Sequence, residues 1–154
     1  MNAEEYLQQV KEADAQIDEN KAELQELWSQ ATSVTQLSDG MPHTHGVTDK
    51  VGKTSSKIIK AKEETLAKID KYMDIRNDVI RHIEMLPPKQ RTVLYWLYVR
   101  KREKRRKNQS MYYTWSETAE NLGCSEQNIS NVRKRAIRNL QKILDSEEKK
   151  QKVD

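Results

Sequence analysis

Near the N-terminus, apolar side chains recur at alternating steps of four and three: Tyr6, Val10, Ala13, Ile17, Asn20, Leu24, Leu27 and Ala31, with Asn20 the one polar member. That spacing gathers the set onto one face, so it predicts a long helix in need of a helical partner. A second seam runs through Ile58, Lys62, Thr65, Ile69, Tyr72, Arg76, Val79, Ile83 and Leu86, and Ile59, Leu66, Met73 and Ile80 beside it are expected to widen the face. Between the seams, residues 32–52 carry Gly40, Pro42, Gly46 and Gly52 among Ser, Thr and Asp, which is loop chemistry. The expected arrangement over residues 1–86 is an antiparallel, coiled-coil-like helical hairpin used for self-association or partner contact. Asn20 either sets register or is simply tolerated in an imperfect seam.

Leu86-Pro87-Pro88 interrupts the periodicity, because the residue before a proline avoids helical dihedrals whereas proline fits a first helical turn. A new helix is expected there, with Val93, Leu94, Leu97 and Tyr98 on one face. Further on, Thr114-Trp115-Ser116-Glu117 has the form of a capping box, which starts a short helix presenting Trp115, Ala119 and Leu122. Gly123 can stop that helix with a positive φ, and Ser125 can cap the next, whose apolar stripe is Ile129, Val132, Ala136, Leu140 and Ile143. Helix, tight glycine turn, helix is the skeleton of a helix-turn-helix. The plainer alternative is a generic helical hairpin. The chain therefore reads as all-α: a hairpin over 1–86, a helix-turn-helix domain over 87–146 and a disordered charged tail over 147–154.

The face opposite Ile129 favours the helix-turn-helix. On a wheel of about 100° per residue it carries Gln127, Asn131, Lys134 and Arg138, with no carboxylate among them. A helix in the major groove reads base edges from its N-terminal turns, where Gln and Asn pair with adenine N6 and N7. Gln127 and Asn131 are the base-reading candidates, with Ser130 near the edge of the face. Lys134, Arg135 and Arg138 suit phosphates. Glu126 either accepts from cytosine N4 or complements the helix dipole.

Charge sharpens this reading. Residues 1–85 hold 11 Lys or Arg against 16 Asp or Glu, a net of −5, whereas residues 86–154 hold 17 against 8, a net of +9. Seven of the eight positions from Arg100 to Lys107 are basic: Arg100, Lys101, Arg102, Lys104, Arg105, Arg106 and Lys107. A C-terminal half of that sign suits a polyanion, and double-stranded DNA is the partner that also fits the helix pattern. The run either prolongs the preceding helix or forms a loop, and it is expected to touch the phosphate backbone. The competing reading is a solvated run kept for solubility.

Other chemistry is scarce. No apolar stretch is long enough for a membrane span, the N-terminus is acidic rather than signal-like, and the single Cys124 allows no intramolecular disulfide, so a cytoplasmic protein without membrane contact is expected. Cys124 occupies an apolar position and reads as a buried structural thiol. His43 and His45 lack the further ligands a zinc site needs. Asp70, Asp74 and Asp78 are explained by pairing with neighbouring cations. With no phosphate-binding glycine loop and no catalytic triad, neither an enzyme nor a cofactor is expected.

The stretch "LPPKQRTVLYWLYV" followed by "TWSETAENLGCSEQNISNVRKRAIRNLQKIL" resembles region 4 of the bacterial sigma-70 family, most closely at Gly123, Ser125, Ile129, Val132, Arg135, Ala136, Ile137, Arg138 and Leu140. The acidic helical N-terminal half, its loop and the C-terminal domain together resemble phage and prophage regulators of late-gene transcription, of the ArpU and RinA kind. The resemblance implies promoter binding by the last helix, base contacts from Glu126, Gln127, Ser130 and Asn131, and contact with bacterial RNA polymerase. It departs at Glu126 and Ser130, where housekeeping sigma factors usually carry Arg, and in the lengthened connection before the helix-turn-helix. Two rivals share parts of this pattern. One is the DNA-recognition subunit of a phage terminase; the other is a polymerase-binding adaptor without DNA recognition.

Overall fold

A computed structural model describes the backbone of residues 1–38 and 45–153, and the side chains of 1–32 and 55–153. The fold is all-α, with α1 Ala3–Ser38, α2 His45–Glu84, α3 Pro88–Leu94, α4 Trp115–Leu122 and α5 Glu126–Val153. The described residues contain no strand, only an isolated antiparallel bridge between Lys101 and Tyr112. The loop expected over 32–52 is narrower than its composition suggests: α1 reaches Ser38 and α2 begins at His45, so Gly46 and Gly52 are helical. A helical glycine costs only about 1 kcal/mol relative to alanine, which a long packed helix can absorb. Gly40, Pro42 and His43 lie outside the described residues, as does the side chain of His45.

The chain forms two compact units, Ala13–Asp74 and Met1–Glu12 together with Ile75–Asp154. The division differs from the expected boundary at residue 86. Within Ala13–Asp74, the two seams are buried at Ala13, Ile17 and Asn20 of α1 and at Ile58 and Thr65 of α2, while Leu24, Leu27, Ile69 and Tyr72 further along them are only half-buried. Thr65 spends its hydroxyl on the Ala61 carbonyl at 2.9 Å, and the Lys62 ammonium stands 3.7 Å from the centre of the Trp28 ring. Asn20 has less comfort, since its amide nitrogen is buried with no hydrogen-bond partner. Ile59, Leu66 and Met73 do not widen the core face. They are exposed, because one helical neighbour covers a single stripe.

In the other unit, the first turns of α1 join the core of the C-terminal helices. Ala3, Tyr6, Leu7 and Val10 pack with Val79 and Ile83 of the α2 end, with Leu86 just beyond it, and with Leu94, Leu97, Ile129, Ala136 and Leu140. The ends of the chain are stitched together as well. Gln141 of α5 accepts from the Ala3 amide at 2.7 Å and donates to the Met1 carbonyl at 3.1 Å, while the Met1 ammonium meets Glu148 at 3.3 Å. These contacts, with Leu144 buried, explain why residues 147–153 continue α5 instead of forming the expected disordered tail.

A polar cluster around the buried Tyr6 and His82 borders this core. The His82 ring contacts Glu147 of α5 through Nε2 at 2.6 Å, and through Nδ1 the Tyr6 hydroxyl at 2.7 Å and the Asp78 carbonyl at 2.8 Å. The Tyr6 hydroxyl also donates to Asp78 at 2.9 Å. Burial first, and then that carboxylate, push the Tyr6 phenol up from its ordinary range. Burial works to raise Asp78 too, but hydrogen bonds from Arg81 and Tyr6 prevail and hold it below the usual carboxylate range.

Candidate nucleic-acid interface

The Pro87-Pro88 break works as its chemistry dictates, with Pro88 opening α3 in the turn where its missing N–H leaves no orphan. α3 runs into a π-helical turn, Tyr95–Val99, which buries Leu97, Tyr98 and Val99 and ends where the Arg100 amide donates back to the Tyr95 carbonyl at 2.8 Å. The aromatic residues of this segment divide: Tyr98 is core, Tyr95 is exposed, and Trp96 lies under the Arg100 guanidinium at 4.0 Å with the Tyr113 ring against it at 5.0 Å.

The helix-turn-helix then forms from local rules. Thr114 accepts from the Glu117 amide at 3.2 Å, and Glu117 returns to the Thr114 amide at 3.4 Å, which closes the capping box. α4 stops in a Schellman motif. Cys124 donates to Ala119 at 3.0 Å and Gly123 to Glu120 at 3.3 Å, with Gly123 at φ 67°, ψ 36°. Ser125 caps α5 by accepting from the Asn128 amide at 3.1 Å. Ala119, Ile129 and Val132 are buried between the helices. Cys124 is only half-buried, because an apolar groove of about 480 Å³ lined by Pro88, Val93, Leu122 and Val132 opens beside it; the sealed position expected for it is not found.

α5 turns its buried stripe inward at Ile129, Val132, Ala136, Leu140 and Leu144. Its outer face holds Glu126, Gln127, Asn131, Lys134, Arg135 and Arg138, all exposed, with Ser130 half-buried at the edge. Gln127 donates its side-chain amide to the Asn131 oxygen at 3.2 Å, so the two base-reading candidates stand as a pair one turn apart. Arg133, which the sequence pattern did not single out, is tied inward. Its Nε donates to the Tyr98 hydroxyl at 3.0 Å, its guanidinium lies 5.2 Å from the Trp115 ring, and it forms an ion pair with Glu4. It clamps α5 to the π-helical turn and to α1. The only sequence signal for it is a cation on the edge of the apolar stripe.

The basic run is a loop, and its cations have different fates. Arg100 stacks on Trp96, Lys101 pairs through its backbone with Tyr112, and the side chain of the half-buried Arg102 is covered by the protein. The Arg102 amide donates to the Met111 carbonyl at 2.8 Å, its Nε to the Ser110 carbonyl at 2.7 Å, and both terminal nitrogens of its guanidinium engage the Glu117 carboxylate. That side chain is committed to the protein and leaves the set of phosphate candidates. Arg102 beside it, helped by Thr114, holds the Glu117 carboxyl far below the usual range, at about 2. Lys104, Arg105, Arg106 and Lys107 remain exposed at the tip.

The loop foot is also covered from α1, where the Lys11 ammonium lies 4.9 Å from the Tyr112 ring and 5.4 Å from that of Tyr98. Burial there pushes the Lys11 amine down from its ordinary range. Among the described residues no group of His, Cys, Asp and Glu is arranged to hold a metal ion, and no helix is long and apolar enough to cross a membrane.

The family model of sigma-70, region 4, matches residues 82–142. This stretch is a sigma-70 region 4-like helix-turn-helix, a DNA-binding fold. No curated protein and no solved structure matches the chain.

Proposed function

We propose that the protein is a sequence-specific DNA-binding regulator of transcription, serving phage or prophage late genes, with the N-terminal half of α5 entering the major groove. The observation that carries the reading is the exposed Gln127–Asn131 pair on the first turns of α5, followed along the same face by Lys134, Arg135 and Arg138. Amide side chains there can discriminate bases, and the cations further along hold phosphates and fix register. Glu126 and Ser130 lie together on one side of the pair and supply a weaker contact there. Selection of bound sequences from random duplex DNA by the full chain should enrich one motif, and a pool that stays random after several rounds would refute sequence-specific recognition.

The same reading gives the domain a second partner, bacterial RNA polymerase, through a surface other than the α5 face. It is supported by the sigma-like match alone. Recovery of polymerase core on immobilised protein tests it. Self-association is proposed for α2, where Ile59, Leu66 and Met73 stand exposed at seven-residue intervals, the spacing an identical helix would present in return. Sedimentation of the full chain beside a variant with all three changed to Ser decides that point, with a monomeric parent counting against it.

A further inference from the structure

The loop before α4 is built more firmly than a solvated charge run requires. Its two sides are joined by the antiparallel Lys101–Tyr112 bridge, to which the Arg102–Met111 hydrogen bond belongs, and Lys11 covers its foot at Tyr112. Its tip is a hydrogen-bonded turn in which Gln109 donates to the Arg106 carbonyl at 3.0 Å and Asn108 takes the positive φ of 70° that asparagine tolerates. The Gln109 side chain then accepts from the Arg106 amide at 3.2 Å. A run of like charges left to itself extends and repels. Here the chain is folded back on itself, and four adjacent cations, Lys104 to Lys107, are displayed with no side-chain hydrogen bond or ion pair.

The loop is also fastened to one end of the DNA-reading unit. Arg102 grips Glu117 with two parallel hydrogen bonds, and Glu117 is the third residue of α4, where it already serves the capping box. In a docked helix-turn-helix the first helix crosses the sugar-phosphate backbone while the second lies in the groove. A basic loop fixed at the start of that first helix therefore reaches the backbone beside the groove.

We propose that residues 103–109 are a wing, a second DNA-contact element that grips phosphates flanking the site read by α5, and that Arg102 and Glu117 are the positioning residues that hold it there. The proposal rests on duplex binding by α5 and adds to it a grip outside the recognised bases. Ordering before binding spares the loop the entropy of being fixed at the moment of contact.

Two variants of the full chain test it on the duplex that selection enriches. Replacing Lys104, Arg105, Arg106 and Lys107 by Ala should make the salt dependence shallower by about 0.9 in log–log slope for each phosphate the wing no longer neutralises. It should also remove hydroxyl-radical protection on one flank while leaving protection at the enriched motif. Glu117→Gln keeps a capping side chain at that position but removes the charge and one of the two acceptors that grip Arg102. It removes a negative charge, so a merely solvated run predicts tighter binding, whereas a positioned wing predicts binding weakened by roughly 3- to 10-fold, with the flank unprotected and the enriched motif unchanged. Unchanged slope and flank protection in the alanine variant, or tighter binding by Glu117→Gln, would overturn the wing and leave recognition by α5 standing. Absence of any duplex binding by the parent would overturn both.

Discussion

Replacing Gly123 by Ala isolates one physical term. The residue sits at φ 67° and ψ 36°, and a Cβ added there would meet nothing within 4 Å, so neither a clash nor a cavity enters. What remains is the left-handed backbone, which costs an L-residue roughly 1–2 kcal/mol through its own Cβ and carbonyl. Alanine also restricts the unfolded chain, which returns about 0.4–1 kcal/mol. The expected net loss is about 1 kcal/mol, with a smaller loss for Gly123→Asn, since asparagine visits this region more readily. Urea denaturation of the full chain, followed by circular dichroism, should show a lower midpoint at an unchanged slope. A loss above about 4 kcal/mol would mean that the turn is sterically closed, and a gain would mean that Gly123 does not hold a positive φ.

Three further outcomes follow from burial and charge. Asn20→Leu removes a buried, unpartnered amide from the α1 seam and should stabilise the protein in thermal melts, whereas a fall of about 1–3 kcal/mol would show that the amide is satisfied. Leu140→Ala empties a fully buried site in the C-terminal core and should cost about 2–5 kcal/mol by urea denaturation, with less than 1 kcal/mol contradicting its place there. Because the Glu117 carboxyl is held down at about 2, its pairing contributes stability above the usual carboxylate range and loses it as pH falls through about 2. Acid titration of the unfolding midpoint should therefore fall more steeply for the parent than for Glu117→Gln, and parallel curves would count against the pair.

The helix-turn-helix was legible because its signals are local. Thr114, Glu117, Gly123 and Ser125 each act within a few residues of their own position, and the structure places a capping box, a left-handed stop and a second cap there. The outer face of α5 was legible for the same reason, since helical periodicity alone sorts Gln127 and Asn131 from Ile129 and Val132. The fate of the basic run was not, because it depends on Arg102 finding Glu117 fifteen positions later and on Tyr112 lying under Lys11 from the other end of the chain. Nor was the membership of Ala3 and Leu7 in the C-terminal core, since their partners lie far away in sequence. The charged tail misled by composition: Glu147 and Glu148 are held by His82 and the Met1 ammonium, contacts that hydrophilicity does not reveal.

The central claim is that α5 reads bases through its amide pair and holds phosphates through its cations. Selection from random duplex DNA, repeated with Gln127→Ala and with Lys134→Ala, tests it most directly. Gln127→Ala should relax preference at one base pair, at a cost of about 1–3 kcal/mol on the parent motif, while Lys134→Ala should weaken all sequences alike and leave the motif intact. The same sequence-blind loss in both variants would contradict the account.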